Sequence, residues 1–496
     1  MLDYRFIKNN LEAVKRNIVN RAMHADAEAA VRLFDERTEM VTALQGLQAK
    51  RNENSLAMKK ARDAAERNAL IETGKAIKAE IAAAESALKE KEAALDAAMM
   101  QIPNMAHPDA PIGKEDTENC EVKRVGTVPQ FDFEPKDHVQ LAEALDLIDF
   151  DAATKVAGVK FYYLKNEAVF LEQALVLYGL NILRKHGFTP FITPDVAKEE
   201  ILRGIGFNPR GSESNVYTIE DEGACLVATA EITLGGYHSG EILDKATLPL
   251  LYGGLSHCFR REAGAAGQFS KGLYRVHQFD KVEMFVYATP EQSDALHEKL
   301  RLIEEEIFTG LGIPFRVVDT CTGDLGAPAY RKWDIEAWMP GRNGGEYGEV
   351  TSTSNCTDYQ ARRLNIKYKD SDGKNKFVHT LNGTAIAVGR AMLAIFENYQ
   401  NADGSITIPQ SLVPYCGKSE RKKANSVRMK DADYTKRIFY ILGFFAAVLL
   451  GTLLKITAAV SLPVTVAVLL SCVLYPVIKN LNEKLRVPWV LGSLLM

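Results

Sequence analysis

The sequence predicts an α+β protein with an antiparallel helical coiled-coil arm at its N-terminal end and a two-helix transmembrane hairpin at its C-terminal end. Three stretches of different composition in the 496 residues support this organisation. Residues 26–100 lack proline and are rich in Ala, Glu, Lys, Leu and Arg, residues 103–416 are mixed, and residues 438–478 are almost purely apolar. The predicted units are 1–102 (arm), 103–120 (linker), 121–417 (central unit), 418–437 (basic linker) and 438–496 (membrane segment).

Composition excludes several classes of protein. The chain is 47% hydrophobic and 25% charged, which excludes a disordered protein, a collagen-like fibre and an all-membrane transporter. Its net charge of −4 is unlike that of a histone-like binder, so a nucleic acid would have to bind a local basic patch. Seven scattered cysteines without a C-x-x-C pair argue against a disulfide framework and for a reducing compartment. We expect no secretory signal peptide, because charges begin at Asp3.

The arm is predicted from residues that follow the alternating three- and four-residue spacing of a coiled coil. The two runs are Val31, Phe34, Thr38, Val41, Gln45 and Gln48, and then Ile77, Ile81, Ala84, Leu88, Lys91, Leu95 and Ala98. Residues 51–68 lack this period and fit a chain reversal, so two helices of ~30 residues would form a hairpin roughly 45 Å long. A dimerisation coil is one interpretation. Five basic residues near the far end favour a phosphate backbone instead, namely Lys50, Arg51, Lys59, Lys60 and Arg62.

The central unit is predicted to be a mostly antiparallel sheet with helices packed on it. Residues 169–188 are apolar at helical spacing and end in Lys-His-Gly, which indicates a helix and its C-terminus. Short β-like runs such as FYYL, RVHQF and KVEMFVYA recur between glycine-rich or polar turns, without the regular βαβ alternation. The chain has neither a P-loop nor a G-x-G-x-x-G turn, so a nucleotide would be bound in another way.

Residues 257–285 contain a candidate site for an anion and an aromatic base. Arg260 and Glu262 precede a glycine-rich loop, and Arg275, Phe279 and Glu283 follow it in a run interpreted as one strand. Arginines near an aromatic ring suit a triphosphate and a purine, because guanidinium groups pair with anions and the ring offers a stacking surface. An ordinary surface salt bridge remains the alternative for the Arg–Glu pair.

Three further segments supply polar groups. Residues 227–234, interpreted as a strand, place Thr229 and Glu231 on one face, where they suit an ammonium group or form only a polar edge pair. Glu349 and Ser352 offer oxygen ligands suited to Mg²⁺, although capping explains such a pair as well. Residues 381–400 run from a turn into a helix with Arg390 on its first turns. None of these segments decides the function alone.

Together the segments resemble the class II aminoacyl-tRNA synthetases, and specifically the seryl-tRNA synthetase family. GFTPFITPDV with Pro194 is similar to the family's first motif, FRREAG and HQFDKVE to the second, and LNGTAIAVGR to the third. The N-terminal arm and the T-x-E at Thr229–Glu231 fit as well, so that the resemblance covers roughly residues 1–416.

The resemblance implies a role for each candidate residue. Arg260 would hold the α-phosphate of ATP and the serine carboxylate, Glu262 would meet the adenine amino group, and Phe279 would stack on adenine. Arg275 and Arg390 would bind the outer phosphates. Arg260 and Arg390 are the implied catalytic residues. The implied ATP site is Arg260, Arg261, Glu262, Arg275, Phe279, Glu349, Val350, Thr351, Ser352 and Arg390.

The resemblance also implies the serine site and the metal ligands. Glu349 and Ser352 would bind Mg²⁺, which accompanies ATP. Thr384, which would approach the serine hydroxyl with Glu283, stands where many relatives have serine. The implied serine site is Thr229, Ala230, Glu231, Arg260, Glu283 and Thr384.

The implied activity is that of a serine–tRNA ligase with ATP, L-serine and tRNA(Ser) as partners. The arm would bind the long variable arm of the tRNA by shape and backbone. A homodimer is implied, and charging of tRNA(Sec) is left open. An inactive paralogue would have lost motif arginines, yet Arg260, Arg275 and Arg390 are all present.

The C-terminal segment lies outside that resemblance. The apolar runs 438–454 and 456–478 are separated by Lys455, and the second is of comfortable length for a membrane span. Basic residues on both sides predict cytoplasmic ends, a hairpin, and a catalytic unit tethered to the inner face of a membrane. From Met429 the chain resembles the start of the autoinducer-two exporter family, which suggests a gene fusion or read-through. A transporter with a synthetase-like appendage would show more than two spans.

Overall fold

The computed structural model describes residues 1–207, 215–262, 272–417, 420–421 and 458–485. The chain divides into two compact units, Met1–Lys423 and Ala424–Met496, which are described separately.

The N-terminal arm is an antiparallel pair of long helices, as the sequence predicts. Helices α1 (Tyr4–Asn9) and α2 (Leu11–Asn20) precede α3 (Ala27–Lys60) and α4 (Ala64–Gln101). Asp26 and Asp63 cap the long helices, because each carboxylate accepts a hydrogen bond from a backbone N–H of the first turn. The chain reverses between Lys60 and Ala64, inside the aperiodic stretch 51–68.

Ion pairs reinforce the contact between α3 and α4. Lys91 contacts Glu36 at 2.7 Å, and Arg37 contacts Glu92 at 2.8 Å. Ile77 and Ile81 are buried, as the predicted spacing requires. Thr38 and Gln45, which share that spacing, are exposed instead. Burial of a polar side chain gives little stabilisation, so the contact between the two helices is formed mainly by the apolar residues of the pattern.

Arg21 joins the base of the arm to the central part of the chain. The side chain is buried, and its guanidinium donates to the carbonyls of Asn104, Leu325, Gly326 and Ala329. Burial lowers the pKa of Arg21 to about 10, so the group stays charged at neutral pH.

The remaining elements of this unit alternate short strands and helices. The strands are β1 (Cys120–Val125), β2 (Ile148–Asp149), β3 (Tyr163–Leu164), β4 (Thr189–Ile192), β5 (Val196–Lys198), β6 (Thr218–Ile219), β7 (Ala224–Leu226), β8 (Ile242–Asp244), β9 (Leu250–Phe259), β10 (Gln278–Ala288), β11 (Phe315–Asp319), β12 (Arg331–Met339), β13 (Glu346–Asn355), β14 (Lys367–Lys369), β15 (Asn375–Phe377), β16 (His379–Ala387), β17 (Ile406–Thr407) and β18 (Glu420–Arg421). The helices are α5 (His138–Ala144), α6 (Phe150–Val156), α7 (Glu167–Lys185), α8 (Glu199–Ile205), α9 (Ala230–Gly236), α10 (Ser293–Leu311), α11 (Tyr359–Leu364), α12 (Val388–Asn398) and α13 (Val413–Cys416). Short 3₁₀ turns lie at Asp116–Glu118, Lys245–Thr247 and Pro290–Gln292.

An eight-stranded sheet organises the core, in the order β1-β11-β12-β13-β16-β10-β9-β4. Every neighbouring pair is antiparallel except β4 and β9, which are parallel. The predicted antiparallel sheet flanked by helices is therefore confirmed. Helix α7 covers the predicted apolar stretch almost from end to end.

The two faces of the sheet have separate apolar clusters. Met284 and Val286 of β10 pack in one cluster with residues of α7, α10 and α12. Phe285 and Tyr287 pack in the other, with residues of α8, α9 and α11. Strand side chains alternate between faces, so Lys281 and Glu283 share the face covered by α9.

Two local predictions were wrong, and a third was correct only in part. Residues 227–234 are not a strand, because Thr229 is the N-cap of α9 and its hydroxyl accepts a hydrogen bond from the N–H of Glu231. Strand β10 starts at Gln278, so Arg275 precedes it. FYYL contributes only the two residues of β3. The β-branched and aromatic residues of these segments pack in helices and loops instead. Strand propensity does not predict this outcome, because it takes no account of tertiary packing.

The C-terminal unit contains helix α14 (Ala458–Leu485), with Pro463 and Pro476 in its interior. Its stretch Leu462–Lys484 has a mean hydropathy of 2.0 and is long and apolar enough to cross a membrane, and 6% of it is buried. The helix begins within the predicted span 456–478 and extends beyond its C-terminal end, to Leu485. The other predicted span, 438–454, and most of the basic linker lie outside the described residues.

Candidate active site

A cavity lies where β9, β10, β13 and β16 meet the start of α12. Nine of the residues singled out in the sequence line it, from segments that lie up to 130 positions apart. They are Arg260, Glu262, Arg275, Phe279, Glu349, Val350, Thr351, Thr384 and Arg390.

Arg260 follows the last residue of β9 and is held by His277 across the hairpin. The Arg260 N–H donates to the His277 carbonyl at 2.9 Å, and His277 Nδ1 lies 2.9 Å from the Arg260 carbonyl. The guanidinium carbon lies 5.3 Å from the centre of the Phe279 ring, and Nε donates to the Ala228 carbonyl at 3.4 Å. Arg260 therefore lies between the aromatic ring and the turn that leads to Thr229.

Arg390 occupies the first turn of α12 and contacts Glu349 and Tyr274. Its Nη1 lies 3.2 Å from the Glu349 carboxylate, and the guanidinium carbon lies 4.7 Å from the centre of the Tyr274 ring. Burial opposes the charge of Glu349, but Arg390, Lys332 and Arg260 outweigh that effect and lower its pKa. Glu349 is therefore an anion at neutral pH.

A β-bulge in β13 puts Glu349 and Ser352 on one face. Thr351 pairs with Ile335 and Glu349 pairs with Glu336, so Val350 is the extra residue. Residues three apart in a regular strand point to opposite faces, and one extra residue reverses this relation. Burial, and then the charge of Glu349, raise the pKa of Asp334 to about 6, although Lys332 and a hydrogen bond from Ser352 oppose the shift. Asp334 therefore responds to both Glu349 and Ser352.

Glu231 lies on the first turn of α9 and has two amide neighbours from distant segments. Gln360 Nε2 donates to its carboxylate at 2.8 Å, and Asn382 Nδ2 donates to the same oxygen at 2.9 Å. Burial, and then the charge of Glu283, raise the pKa of Glu231 to about 7. A cationic group beside this carboxylate would favour its ionised form.

Glu283 forms a buried ion pair with Lys281, two residues earlier on the same face of β10. Both side chains are almost fully buried. The Thr384 hydroxyl donates to Glu283 at 3.4 Å. Glu283 and Thr384 thus lie next to each other on paired strands, so that both side chains could contact one hydroxyl group of a ligand.

Six of the candidate residues are absent from the cavity lining, namely Thr229, Ala230, Glu231, Arg261, Glu283 and Ser352. Three candidate side chains make contacts that leave them unavailable to a ligand. Ala230 and Val350 pack in the apolar clusters, and Thr351 donates to Glu304 at 3.0 Å, so each can offer only its backbone to a ligand. Arg261 is exposed near Tyr217. Ser352 lies beside the cavity lining rather than in it.

Sequence reasoning missed Lys281, Tyr274, Gln360 and Asn382. The position of Lys281 two residues before Glu283 is a usable signal, because alternate strand residues share a face. The neighbours of Glu231 have no such signal, since Gln360 lies 129 positions away.

The five basic residues predicted to bind RNA, Lys50, Arg51, Lys59, Lys60 and Arg62, are all exposed. They lie at the end of α3 and in the turn that follows it, far from the base of the arm.

Comparison with known proteins matches two family models. Residues 1–106 match the seryl-tRNA synthetase N-terminal domain, and residues 217–399 match the tRNA synthetase class II core domain (G, H, P, S and T).

Curated relatives match the chain over most of its length. The serine–tRNA ligase of Treponema denticola is 76% identical over 417 residues, which cover 84% of this chain and 99% of the relative. The serine–tRNA ligase of Borreliella burgdorferi (strain ZS7) is 56% identical over 418 residues, with 84% and 98% covered.

Solved structures agree with these relatives. The seryl-tRNA synthetase from Pyrococcus horikoshii, complexed with ATP, has a TM-score of 0.76 and 40% identity, covering 85% of this chain and 99% of that one. The cytoplasmic serine–tRNA ligase from Naegleria fowleri, in complex with AMP, has a TM-score of 0.74 and 30% identity, with 86% and 99% covered. The chain therefore belongs to the seryl-tRNA synthetase family of class II aminoacyl-tRNA synthetases.

Proposed function

We propose that the cavity around Arg260 joins L-serine to ATP as seryl-adenylate and that the serine then passes to the 3′ end of tRNA(Ser). Family membership makes the chain an ATP-dependent serine–tRNA ligase with serine, ATP and tRNA as substrates. The roles of individual residues are the content of the proposal. The main support for the proposal is the position of Arg260 between the Phe279 ring and the Ala228 carbonyl. At this position one cation can bind both the serine carboxylate and the α-phosphate of ATP.

The ATP side of the cavity supplies a ring and three charged groups. Phe279 offers a stacking surface for adenine, and Glu262 offers an acceptor for the adenine amino group. Arg275, which lies 3.6 Å from Glu262, and Arg390 are the cations for the outer phosphates. Bidentate guanidinium groups suit phosphate oxygens better than lysines do.

The serine side supplies polar groups for the ammonium and the hydroxyl. Thr229 and Glu231 bind the ammonium group, whose charge would favour the ionised form of Glu231 against the effects of burial and Glu283. Glu283 and Thr384 bind the hydroxyl. Alanine leaves these buried groups without a partner, so a site of this kind rejects it by ~10⁴-fold or more.

Glu349 and Ser352 fit the chemistry of a divalent cation. Glu349 is ionised, Ser352 adds a hydroxyl oxygen on the same face, and hard oxygen ligands suit Mg²⁺. The family's dependence on ATP implies such an ion. Bound there, Mg²⁺ would neutralise phosphate charge.

The proposed chemistry needs no acid–base pair and no covalent enzyme intermediate. A serine carboxylate oxygen attacks the α-phosphorus in line, a P–O bond forms, and the bond to the bridging oxygen breaks as pyrophosphate leaves. The terminal ribose hydroxyl of tRNA then attacks the serine carbonyl carbon, and the bond from this carbon to the adenylate phosphate oxygen breaks. AMP leaves, and one of its phosphate oxygens takes the hydroxyl proton. Positioning and charge stabilisation by Arg260 and Arg390 supply the catalysis.

The arm is proposed to bind the tRNA through its basic tip, since exposed lysines and arginines at the end of a rigid hairpin suit a phosphate backbone. An aminoacylation assay with tRNA(Sec) beside tRNA(Ser) tests whether both are charged.

A homodimer is proposed through the face that α7 and β4 share. Phe170 and Leu177, seven positions apart on α7, are 61% and 49% exposed, and Ile192 on the edge strand β4 is 85% exposed. Apolar side chains next to an open strand edge favour a second copy of the chain.

The C-terminal segment is proposed to tether the catalytic unit to the cytoplasmic face of a membrane as a two-helix hairpin. The apolar, exposed helix α14 supports one span. The positive-inside rule supports the orientation. A gene-fusion remnant without a role in catalysis is the competing explanation.

Serine-dependent exchange of pyrophosphate into ATP tests the central proposal. Arg260→Ala should abolish the exchange, because one guanidinium contacts both reactants. Exchange at the parent rate in a folded variant would contradict the proposed site, and exchange that depends on another amino acid would contradict the specificity.

A further inference from the structure

His138 connects the end of helix α12 to the strip of chain Gly272–Arg275 that borders the cavity. Its Nδ1 lies 2.8 Å from the Glu397 carboxylate, and its Nε2 accepts a hydrogen bond from the Leu273 N–H at 3.2 Å. The same Glu397 oxygen accepts the His138 N–H at 3.0 Å, and the other oxygen accepts the Gly341 N–H at 2.9 Å. The side chains of His138 and Glu397 are 10% and 2% exposed.

The partners determine where the imidazole carries its proton. The Leu273 N–H can only donate, so Nε2 must be the unprotonated nitrogen. Nδ1 then carries the hydrogen, which it donates to Glu397. One neutral tautomer is thus held by a carboxylate on one side and a backbone amide on the other.

The strip that His138 holds carries the side chains of the ATP side. Tyr274, next to Leu273, accepts a hydrogen bond from Arg390 Nε through its carbonyl at 3.4 Å. Its hydroxyl donates to the Glu349 carbonyl at 3.3 Å. Arg275 comes next and faces Glu262. The serine side, built from α9, β10 and β16, has no residue in this strip.

Close packing leaves the strip little freedom. Gly272 has φ +68°, and a Cβ there would lie 2.1 Å from His138 Nε2. A Cβ on Gly389, one residue before Arg390, would lie 3.6 Å from the Leu273 carbonyl, an ordinary van der Waals distance. The strip is therefore packed tightly against His138 on one side and adjoins the first turn of α12 on the other.

We propose that His138, oriented by Glu397, is a positioning residue for ATP that fixes Tyr274 and Arg275 against Arg390 through its bond to the Leu273 N–H. The inference rests on the proposed site around Arg260 and adds a residue that touches neither substrate.

The test compares His138→Leu with His138→Gln in the full-length chain by serine-dependent pyrophosphate exchange. Leucine removes both hydrogen bonds, whereas a glutamine amide supplies one donor and one acceptor in place of the two ring nitrogens. In His138→Leu the KM for ATP should rise about tenfold, the equivalent of one hydrogen bond of about 1.4 kcal/mol, with the KM for serine unchanged. His138→Gln should restore most of the loss.

His186→Leu is the matched control, because His186 also contacts a glutamate, Glu306 at 2.8 Å, but lies outside the cavity lining. It should leave both KM values at the parent level. Glu397→Gln gives a second variant if His138→Leu does not fold. Its amide nitrogen can only donate hydrogen bonds, and it replaces a carboxylate oxygen that accepts hydrogen bonds from N–H groups.

An unchanged KM for ATP in folded His138→Leu or Glu397→Gln would overturn the proposal. Equal rises in both KM values, or no recovery in His138→Gln, would show a merely structural residue and would overturn it as well. A parent chain without serine-dependent exchange would instead contradict the proposed function.

Discussion

The raised pKa of Glu231 predicts that serine binding depends on pH while ATP binding does not. Burial and the neighbouring Glu283 raise this pKa to about 7. The serine ammonium pairs with the ionised carboxylate, so binding requires a proton to leave Glu231 first. Affinity for serine should therefore increase as the pH rises towards and through the pKa.

The magnitude follows from the fraction of ionised Glu231. With a pKa of about 7, about one tenth of the carboxylate is ionised at pH 6 and about nine tenths at pH 8. The KM for serine should thus fall about tenfold between these values, equivalent to about 1.4 kcal/mol. Glu349 has a lowered pKa and Arg390 a raised one, so the KM for ATP should stay level in this range.

Pyrophosphate exchange at several pH values, with each substrate varied in turn, measures both constants. Glu231→Gln is the matched variant, because it keeps the shape but cannot titrate. Its KM for serine should be higher than the parent's at pH 8 and independent of pH. A parent whose KM for serine is the same at pH 6 and pH 8 would refute the reasoning.

Three further predictions concern other parts of the chain. Lys281→Met should raise the KM for serine and lower the melting temperature, since it leaves Glu283 buried without its cation, a loss of about 3–5 kcal/mol. A Lys281→Met/Glu283→Gln double variant should recover part of this stability, and a double variant no more stable than Lys281→Met would contradict the pairing. Deletion of residues 35–95 should leave pyrophosphate exchange intact and reduce aminoacylation more than tenfold, because it removes the exposed basic residues proposed to contact RNA. Loss of both activities would make the arm a structural support. Removal of residues 429–496 should give an enzyme with full aminoacylation activity that no longer sediments with carbonate-washed membranes, whereas a full-length chain that stays soluble would exclude the anchor.

Local sequence patterns were sufficient for elements with a strong period or a specific motif. The coiled-coil spacing predicted helices α3 and α4 and placed their reversal, and the apolar stretch at 169–188 predicted α7. The same patterns failed for residues 227–234. The β-branched residues there are typical of a strand, yet the N-cap hydroxyl of Thr229 and the packing of Ala230 against Gly254 favour a helix.

What the sequence by itself determined is the arm, the class of the core and, through the family motifs, the chemical identity of the candidate site residues. Only the tertiary structure decided how these residues are supported. Gln360 and Asn382 reach Glu231 from 129 and 151 positions away, the bulge at Val350 brings Glu349 and Ser352 to one face, and His138 meets Leu273 across 135 positions. Such contacts depend on strand pairing and helix docking between remote segments. A motif records the residue types that the chemistry needs, whereas the ionisation and orientation of each one are set by neighbours that only the folded chain brings together.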